Sequence, residues 1–407
     1  MSDPLHGPWK GESKILLSID IGITHSGVSF MYLKNGAKQT IYPVTKWPGQ
    51  EGVRIEGMVP TMLWYDTNNK AVSFGAEALS YAVEEQAKDK GWFLAKNFKA
   101  HLYPEDTRAQ HHPKISALPF DVSLRQVYSD FLGYLLKHTK IFFEERIIDG
   151  IQIWETYSST MEVVMSHPDG WGAREQSFLR DVAVRAGYTT SHQALKNIRF
   201  VIDLEASIYR CLSSNNLSNQ LKAGDVFILC DADTTSTSIS LHKIRSINPM
   251  LKIETCTLEC LEGGSFSVDV VAERYMRQKM IDAGISPEDM DDFITAGVED
   301  FKKNVKFAFS DETKEYLIQI TNARFNNPAL STRRGCMALP GSIIKSFFVD
   351  YVGLIRQTIH RCVGEVGTSI LHLLLVGRFG DSCYLQQVIK DVYEPRGYQI
   401  SLPTNSA

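Results

Sequence analysis

One short pattern occurs twice, about half a chain apart. Residues 15–30 read ILLSIDIGITHSGVSF and residues 227–241 read FILCDADTTSTSISL. In each copy an apolar run ends in an aspartate, Asp20 or Asp231. A turn of small residues follows, then an alternating strand, Val28-Ser29-Phe30 or Ile239-Ser240-Leu241. Strand, acidic tip, tight turn and returning strand make a β-hairpin whose loop can offer backbone N–H groups to an anion. Two such hairpins predict a duplicated α/β protein that grips a phosphate-sized ligand between its halves. The copies differ in one respect: the first keeps Gly22, whereas the second has Asp233-Thr234-Thr235.

A chain of 407 residues exceeds one ordinary core, so two lobes are expected, split near Phe200: residues 1–200 and residues 201–407. The net charge of -4 gives no electrostatic case for nucleic acid or an anionic membrane. No apolar run approaches the roughly 20 residues of a membrane span, and the polar N-terminus MSDPLHGPWKGESK has no apolar signal-like core. All seven cysteines lie in the second half, odd in number and widely spaced, which fits reduced thiols in a cytoplasmic protein. Cys256 and Cys260, four apart, would share a face on a helix, but no second ligand pair accompanies them.

Further along, strand character is expected at 59–65, and Phe74-Gly75-Ala76-Glu77-Ala78 is expected to open a helix. Residues 105–119, with His111-His112, read as an exposed loop without metal spacing. The stretch 123–145 is an amphipathic helix capped by Ser123, with Val127, Phe131, Leu135 and Ile141 on its apolar stripe. A strand at 162–166, a helix at 173–186 ending at Gly187, and a strand at 198–202 running into Asp203 follow. Beyond the second hairpin, Gly263-Gly264 precedes a helix expected from Val268, and Ser286-Pro287 starts a helical region that runs through Lys306. Residues 371–376 form a buried strand ending at Gly377-Arg378, with a helix from about Tyr384.

Four strand ends thus carry small or acidic residues: Asp20 with Gly22, Asp203, Asp231 and Gly377. Ligands of open α/β sheets bind beyond such carboxyl ends. Carboxylates there act on phosphate through Mg²⁺ and its waters, or orient an attacking water. The alternative for Asp20 and Asp231 is an ordinary polar strand end.

The ordered set of segments resembles the nucleotide-binding domain of the Hsp70 family, in the actin/hexokinase/Hsp70 ATPase superfamily. It is most similar to a divergent branch that lacks a typical peptide-binding domain. The carrying segments are IDIGITHSGVSF, VPTMLWYD, FGAEAL, FKAHLYP, PDGWGAREQSFLRDVAVRAG, IDLEASIY, LCDADTTSTSIS, GGSFSVDV, FKKNVKFAF and LLLVGRFGDSCYLQQVI, in family order along nearly the whole chain. The resemblance implies an α/β fold of the bilobal actin-like class, a duplicated ribonuclease-H-like architecture, with ATP and Mg²⁺ as cofactors. It implies Asp20 and Asp231 as the carboxylates that hold Mg²⁺ through water, and Gly22, Ile23 and Thr24 as the first phosphate loop. Lys99 resembles the catalytic lysine, with Lys96 as the alternative, and Asp203 stands where the family has a glutamate. Thr235 and Ser236 belong to the second phosphate loop, Gly263 and Gly264 resemble a phosphate-side glycine pair, and Lys306, Gly377 and Arg378 fall in the adenosine-side motifs.

The departures bear on activity. The family's second loop is a glycine triplet, because backbone must approach phosphate closely, sometimes at positive φ. Asp233, Thr234 and Thr235 replace it, and β-branched residues disfavour such dihedrals. At an effective dielectric of about 20, a carboxylate roughly 4 Å from a phosphate charge costs on the order of 4 kcal/mol. Phe307 and Arg378 also replace an arginine and a glycine, and the sequence ends before the last helix expected to close the adenosine pocket. Three functions follow as alternatives: an ATP-binding protein with slow or degraded ATPase activity that signals to protein partners or clients, a pseudo-ATPase scaffold, and a sugar- or acetate-kinase-like enzyme. The third lacks a substrate-side base and a dedicated insertion.

Overall fold

Alternation in β1 (Lys14–Ile21) buries Ile15, Leu17, Ile19 and Ile21 and turns Ser18 and Asp20 outward, as a pleated strand with one packed face must. The computed structural model describes residues 7–51, 57–103, 116–168, 170–214, 221–246, 252–366 and 370–402. The chain divides into two compact units, the first running to Ala206 and the second beginning at Ser207.

In the first unit β1 pairs antiparallel with β2 (His25–Leu33), placing Asp20 opposite Gly27. On its other side β1 runs parallel to β8 (Glu162–His167), which runs parallel to β9 (Ile198–Ile202). The outer neighbours of β2 are β3 (Tyr42–Pro43) and β4 (Met58–Pro60), so the main sheet has the order β3-β2-β1-β8-β9. A small antiparallel sheet is made by β5 (Met62–Tyr65), β6 (Ala71–Phe74) and β7 (Phe93–Lys96), with β5 in the middle.

The second unit repeats this plan. Its β10 (Val226–Ala232) pairs antiparallel with β11 (Ser236–Ser246) and parallel with β16 (Ile370–Val376). With β12 (Lys252–Glu262) and β17 (Gln399–Ser401) the order is β12-β11-β10-β16-β17. Each main sheet therefore has an antiparallel hairpin at its centre and two parallel strands on one flank. A second small sheet combines β13 (Glu315–Gln319), β15 (Cys336–Pro340) and β14 (Thr332–Arg333).

Helices Leu124–Arg146 and Gly341–Val366 supply much of the two cores. The first starts where Ser123 accepts a hydrogen bond from the Gln126 N–H, and it buries Val127, Phe131 and Leu135. Ile141 departs from expectation: it is 42% exposed, and Phe142 takes the inward position, because the stripe continues at 139 and 142–143. The residues 74–78 do not open a helix. Phe74 closes β6, a 3-10 turn spans Glu77–Leu79, and the α-helix begins at Tyr81 with Ser80 as its cap. The helix expected from Val268 starts earlier, at Ser265. Cys256 and Cys260 lie on β12, where extended backbone carries residues four apart well over 10 Å from each other, so the shared helix face does not exist. Most of the expected 105–119 loop, His111 and His112 included, lies outside the described residues. Among the described residues no helix is long and apolar enough to cross a membrane.

A row of aromatic rings crosses the second sheet. Phe227 on β10 stands opposite His242 on β11 and His372 on β16, with the His242 ring centred 5.3 Å from that of Phe227. His242 is fully buried, hydrogen-bonded to the Ser240 hydroxyl at 2.7 Å, and burial pushes its pKa down to about 4 from 6.5. Between those values the unfolded chain holds a proton that the folded imidazole refuses, so stability falls as pH drops from about 6.5 toward 4. The full difference is worth about 3 kcal/mol. Urea unfolding is expected to show this acid loss, and His242→Gln is expected to flatten it; equal slopes for parent and variant would show that His242 is not the titrating group.

Candidate functional site

Each unit places its aspartate at the carboxyl end of the central strand. In the first unit three neighbouring strands end at the same edge, because β1, β8 and β9 are parallel and in register, with Ile19 beside Met165 and His167 beside Ile202. Asp20, Ser166 and Asp203 are thereby brought together. The Ser166 hydroxyl donates to Asp20 Oδ1 at 2.9 Å. Asp203 opens the helix Asp203–Ser214, and its Oδ1 is buried with no hydrogen-bond partner among the described residues.

Lys99 completes this group. It sits in the 3-10 turn Phe98–Leu102, which follows Asn97 in the left-handed conformation at φ 56°. Its side chain is buried, with Nζ 4.0 Å from Asp203 Oδ2 and 5.6 Å from the Trp171 ring centre. Lys96 lies on β7 and is exposed, so Lys99 is the lysine that meets the carboxylate. Burial raises the Asp203 pKa, Lys99 opposes that rise, and Asp20 reinforces it. Two carboxylates and an ammonium in one corner can order a water and balance phosphoryl charge. Ser166 and Trp171 were not singled out by sequence reasoning. The signal for Ser166 was its place at the end of a parallel strand; for Trp171 it was an aromatic in the turn before a helix.

Gly22, Ile23 and Thr24 make the three-residue connection from β1 to β2. Gly22 does not need positive φ. It needs space, because a Cβ there would collide with the His25 carbonyl oxygen. The Thr24 carbonyl accepts from the Thr61 N–H at 2.9 Å, which fixes the loop against the start of β5.

The matching residues in the second unit are Asp233, Thr234 and Thr235, between β10 and β11. None has positive φ. The Asp233 N–H donates to Ser236 O at 2.9 Å, closing the hairpin. The loop carbonyls face the start of the helix Ser265–Asp282. Ser265 N–H donates to Asp233 O at 3.1 Å, Phe266 N–H to Thr234 O at 2.9 Å, and Gly263 N–H to Thr235 O at 3.0 Å. A Cβ on Gly264 would overlap the Asp233 carbonyl oxygen, and Gly263 has φ 85°. Both glycines are accounted for by this packing. The N–H groups of Gly263, Ser265 and Phe266, which a helix start can offer to an anion, already have backbone partners.

Asp231 accepts from the Ser207 hydroxyl at 3.3 Å. Gly377, at φ 79°, follows β16, and a Cβ there would stand 2.6 Å from Asp231 Oδ1. Only glycine therefore lets that turn pass the carboxylate. Arg378 next to it is exposed. Ser236, also exposed, begins β11.

Lys306 is buried and ion-paired with Asp269, its Nζ 2.9 Å from Oδ1 and 3.0 Å from Oδ2. Burial lowers the lysine's pKa and raises the aspartate's, while the pairing opposes both shifts. Lys306 also lies 5.0 Å from the Phe307 ring centre, and the Phe307 carbonyl accepts from the Cys383 N–H at 3.0 Å. The Arg378 charge acts on Lys306 as well, so the segments at 306–307, 378 and 383 are neighbours within the second unit. Asp269 was missed by sequence reasoning. The clue was a carboxylate set among Val268, Val270 and Val271 on a helix, where a buried charge demands a partner.

The donors at Asp20, Ser166 and Asp203 are hard oxygens, one of them a buried oxygen without a hydrogen-bond partner among the described residues, and that chemistry suits Mg²⁺ held partly through water. Among the described residues no three His, Cys, Asp or Glu side chains are grouped as a direct metal cage. Comparison with models of protein families and with curated proteins finds no match for this chain.

Proposed function

We propose that the chain is a divergent Hsp70-like ATPase domain of the bilobal actin-like class, one that binds Mg-ATP weakly and hydrolyses it slowly. The observation that carries this reading is the strand order, antiparallel hairpin plus parallel flank, found in both units with an aspartate at the tip of each central strand. Duplication of a whole sheet plan together with its acidic tip is not required by stability alone. In this reading Asp20, with Ser166 beside it, would hold Mg²⁺ through water and so screen phosphate charge. Lys99 neutralises phosphoryl charge, and Asp203 orients the attacking water. The expected setting is cytoplasmic, with protein partners that respond to the bound nucleotide.

A second reading, a scaffold that no longer hydrolyses ATP, draws on the second loop. Its carbonyls occupy the N–H groups of the adjoining helix start, and it carries the Asp233 carboxylate. Asp20→Asn tests the metal site of the first reading. The amide preserves the contact with Ser166, yet it removes the charge that holds Mg²⁺. Calorimetric titration should show that Mg²⁺-dependent ATP binding weakens about tenfold or more, while Mg²⁺-free binding stays the same. An unchanged Mg²⁺ dependence would remove Asp20 from the metal site.

A further inference from the structure

Lys99 carries its charge where water barely reaches, for the residue is 6% exposed. Its backbone end is pinned by the residue before it. Phe98 is fully buried and meets Tyr128 and Phe131 edge-on, with ring centres 5.0 and 5.6 Å away. The ammonium end is held less directly by Asp203, whose Oδ2 at 4.0 Å is too far for a hydrogen bond.

Trp171 meets this turn at both ends. Its ring centre lies 5.6 Å from Lys99 Nζ, and Tyr103, which follows the turn, packs edge-on against it at 5.4 Å. The His167 ring lies nearly parallel to the indole, with centres 6.5 Å apart. That imidazole is itself fixed: Nδ1–H donates to the Pro168 carbonyl at 2.8 Å, and Nε2 accepts from Gln176 Nε2 at 3.1 Å.

The indole N–H is the second observation. Trp171 is 7% exposed, and its Nε1 is buried without a hydrogen-bond partner among the described residues. An unpaired buried N–H is unfavourable, and phenylalanine would fill apolar space without it. What tryptophan adds is the strongest aromatic face for a cation, worth most where the cation is desolvated.

We propose that Trp171 is a positioning residue for Lys99, its indole face holding the ammonium beside Asp203 and shielding it from water. The inference rests on the nucleotide reading only for what Lys99 does there; the arrangement itself needs no ligand. In that reading a lysine released from the ring turns toward water and neutralises phosphoryl charge less well, so Trp171 acts on Mg-ATP through Lys99.

The test is labelling of the folded full chain with an amine-reactive reagent, read at each lysine by mass spectrometry. Trp171→Leu should raise the rate at Lys99 about tenfold or more, whereas Trp171→Phe, which keeps a ring, should retain most of the protection. Exposed Lys96 on β7 is the control and should not change. If Lys96 rises as well, the leucine variant has loosened, and tryptophan emission decides. Lys99→Met should alter emission in the parent and leave it unaltered in a Trp171→Phe background, which identifies the source among six tryptophans. Mg-ATP titration adds the link to function: Lys99→Met with Trp171→Leu should bind no more weakly than Lys99→Met alone. Unchanged Lys99 labelling in a folded leucine variant, an emission change that is absent in the parent or equal in both backgrounds, or additive losses of ATP affinity would each overturn the proposal. A parent chain that binds no Mg-ATP would instead remove the nucleotide reading, with labelling and emission still deciding the role of Trp171.

Discussion

Lys306→Met is expected to destabilise the second unit by about 3–5 kcal/mol, because it strands the Asp269 carboxylate in an apolar interior. Both side chains of the pair are about 5–6% exposed, so solvent screens the loss little. Half-buried Lys302 lies 3.9 Å from the same carboxylate and cannot replace the buried contact without leaving water. Adding Asp269→Leu should return stability to within about 1 kcal/mol of the parent, since well-packed apolar residues often match a buried ion pair. Denaturant unfolding of the single and double variants measures both values. The ammonium is committed to Asp269, so a folded Lys306→Met protein should bind ATP nearly as the parent does. A single variant as stable as the parent would mean that the pair is solvated in solution.

Replacing Asp233, Thr234 and Thr235 together by glycine is expected to tighten Mg-ATP binding by about tenfold or more. A carboxylate roughly 4 Å from phosphate charge costs up to about 4 kcal/mol at an effective dielectric of 20, and the exposure of Asp233 screens part of that. The substitution leaves the loop carbonyls free to keep their bonds to Gly263, Ser265 and Phe266, since those are made by backbone. It should lower stability by roughly 1–3 kcal/mol through unfolded-state entropy. Asp233→Ser should carry most of the affinity gain without that cost. If the folded triple variant binds ATP no better than the parent, the limitation lies in the helix start blocked by the loop carbonyls, not in the Asp233 charge.

The two hairpins were legible because their signal is local: alternation, an acidic tip and a short turn lie within a dozen residues. Gly22 was legible for the same reason. Ile141 was misplaced because a period of 3.6 drifts along a long helix, so that Phe142 is the residue that comes round to the core. Cys256 and Cys260 misled because i,i+4 spacing acquires meaning only once the element is known, and β12 is extended. The pairing of Asp269 with Lys306 and the bonds between loop two and the Ser265–Asp282 helix lay beyond reach. Each depends on a partner dozens of residues away that local pattern does not name: Lys306 for Asp269, and the Asp233 and Thr234 carbonyls for Gly264 and its neighbours.

The proposed function stands on a Mg²⁺-dependent nucleotide site at Asp20. The deciding measurement is calorimetric titration of the unmodified chain with ATP, in Mg²⁺ and in excess chelator. Weak saturable binding is expected in Mg²⁺, about tenfold or more weaker in chelator, with turnover far below about 1 s⁻¹. Absence of ATP binding in both conditions, or equal affinity in the two, would rule the site out.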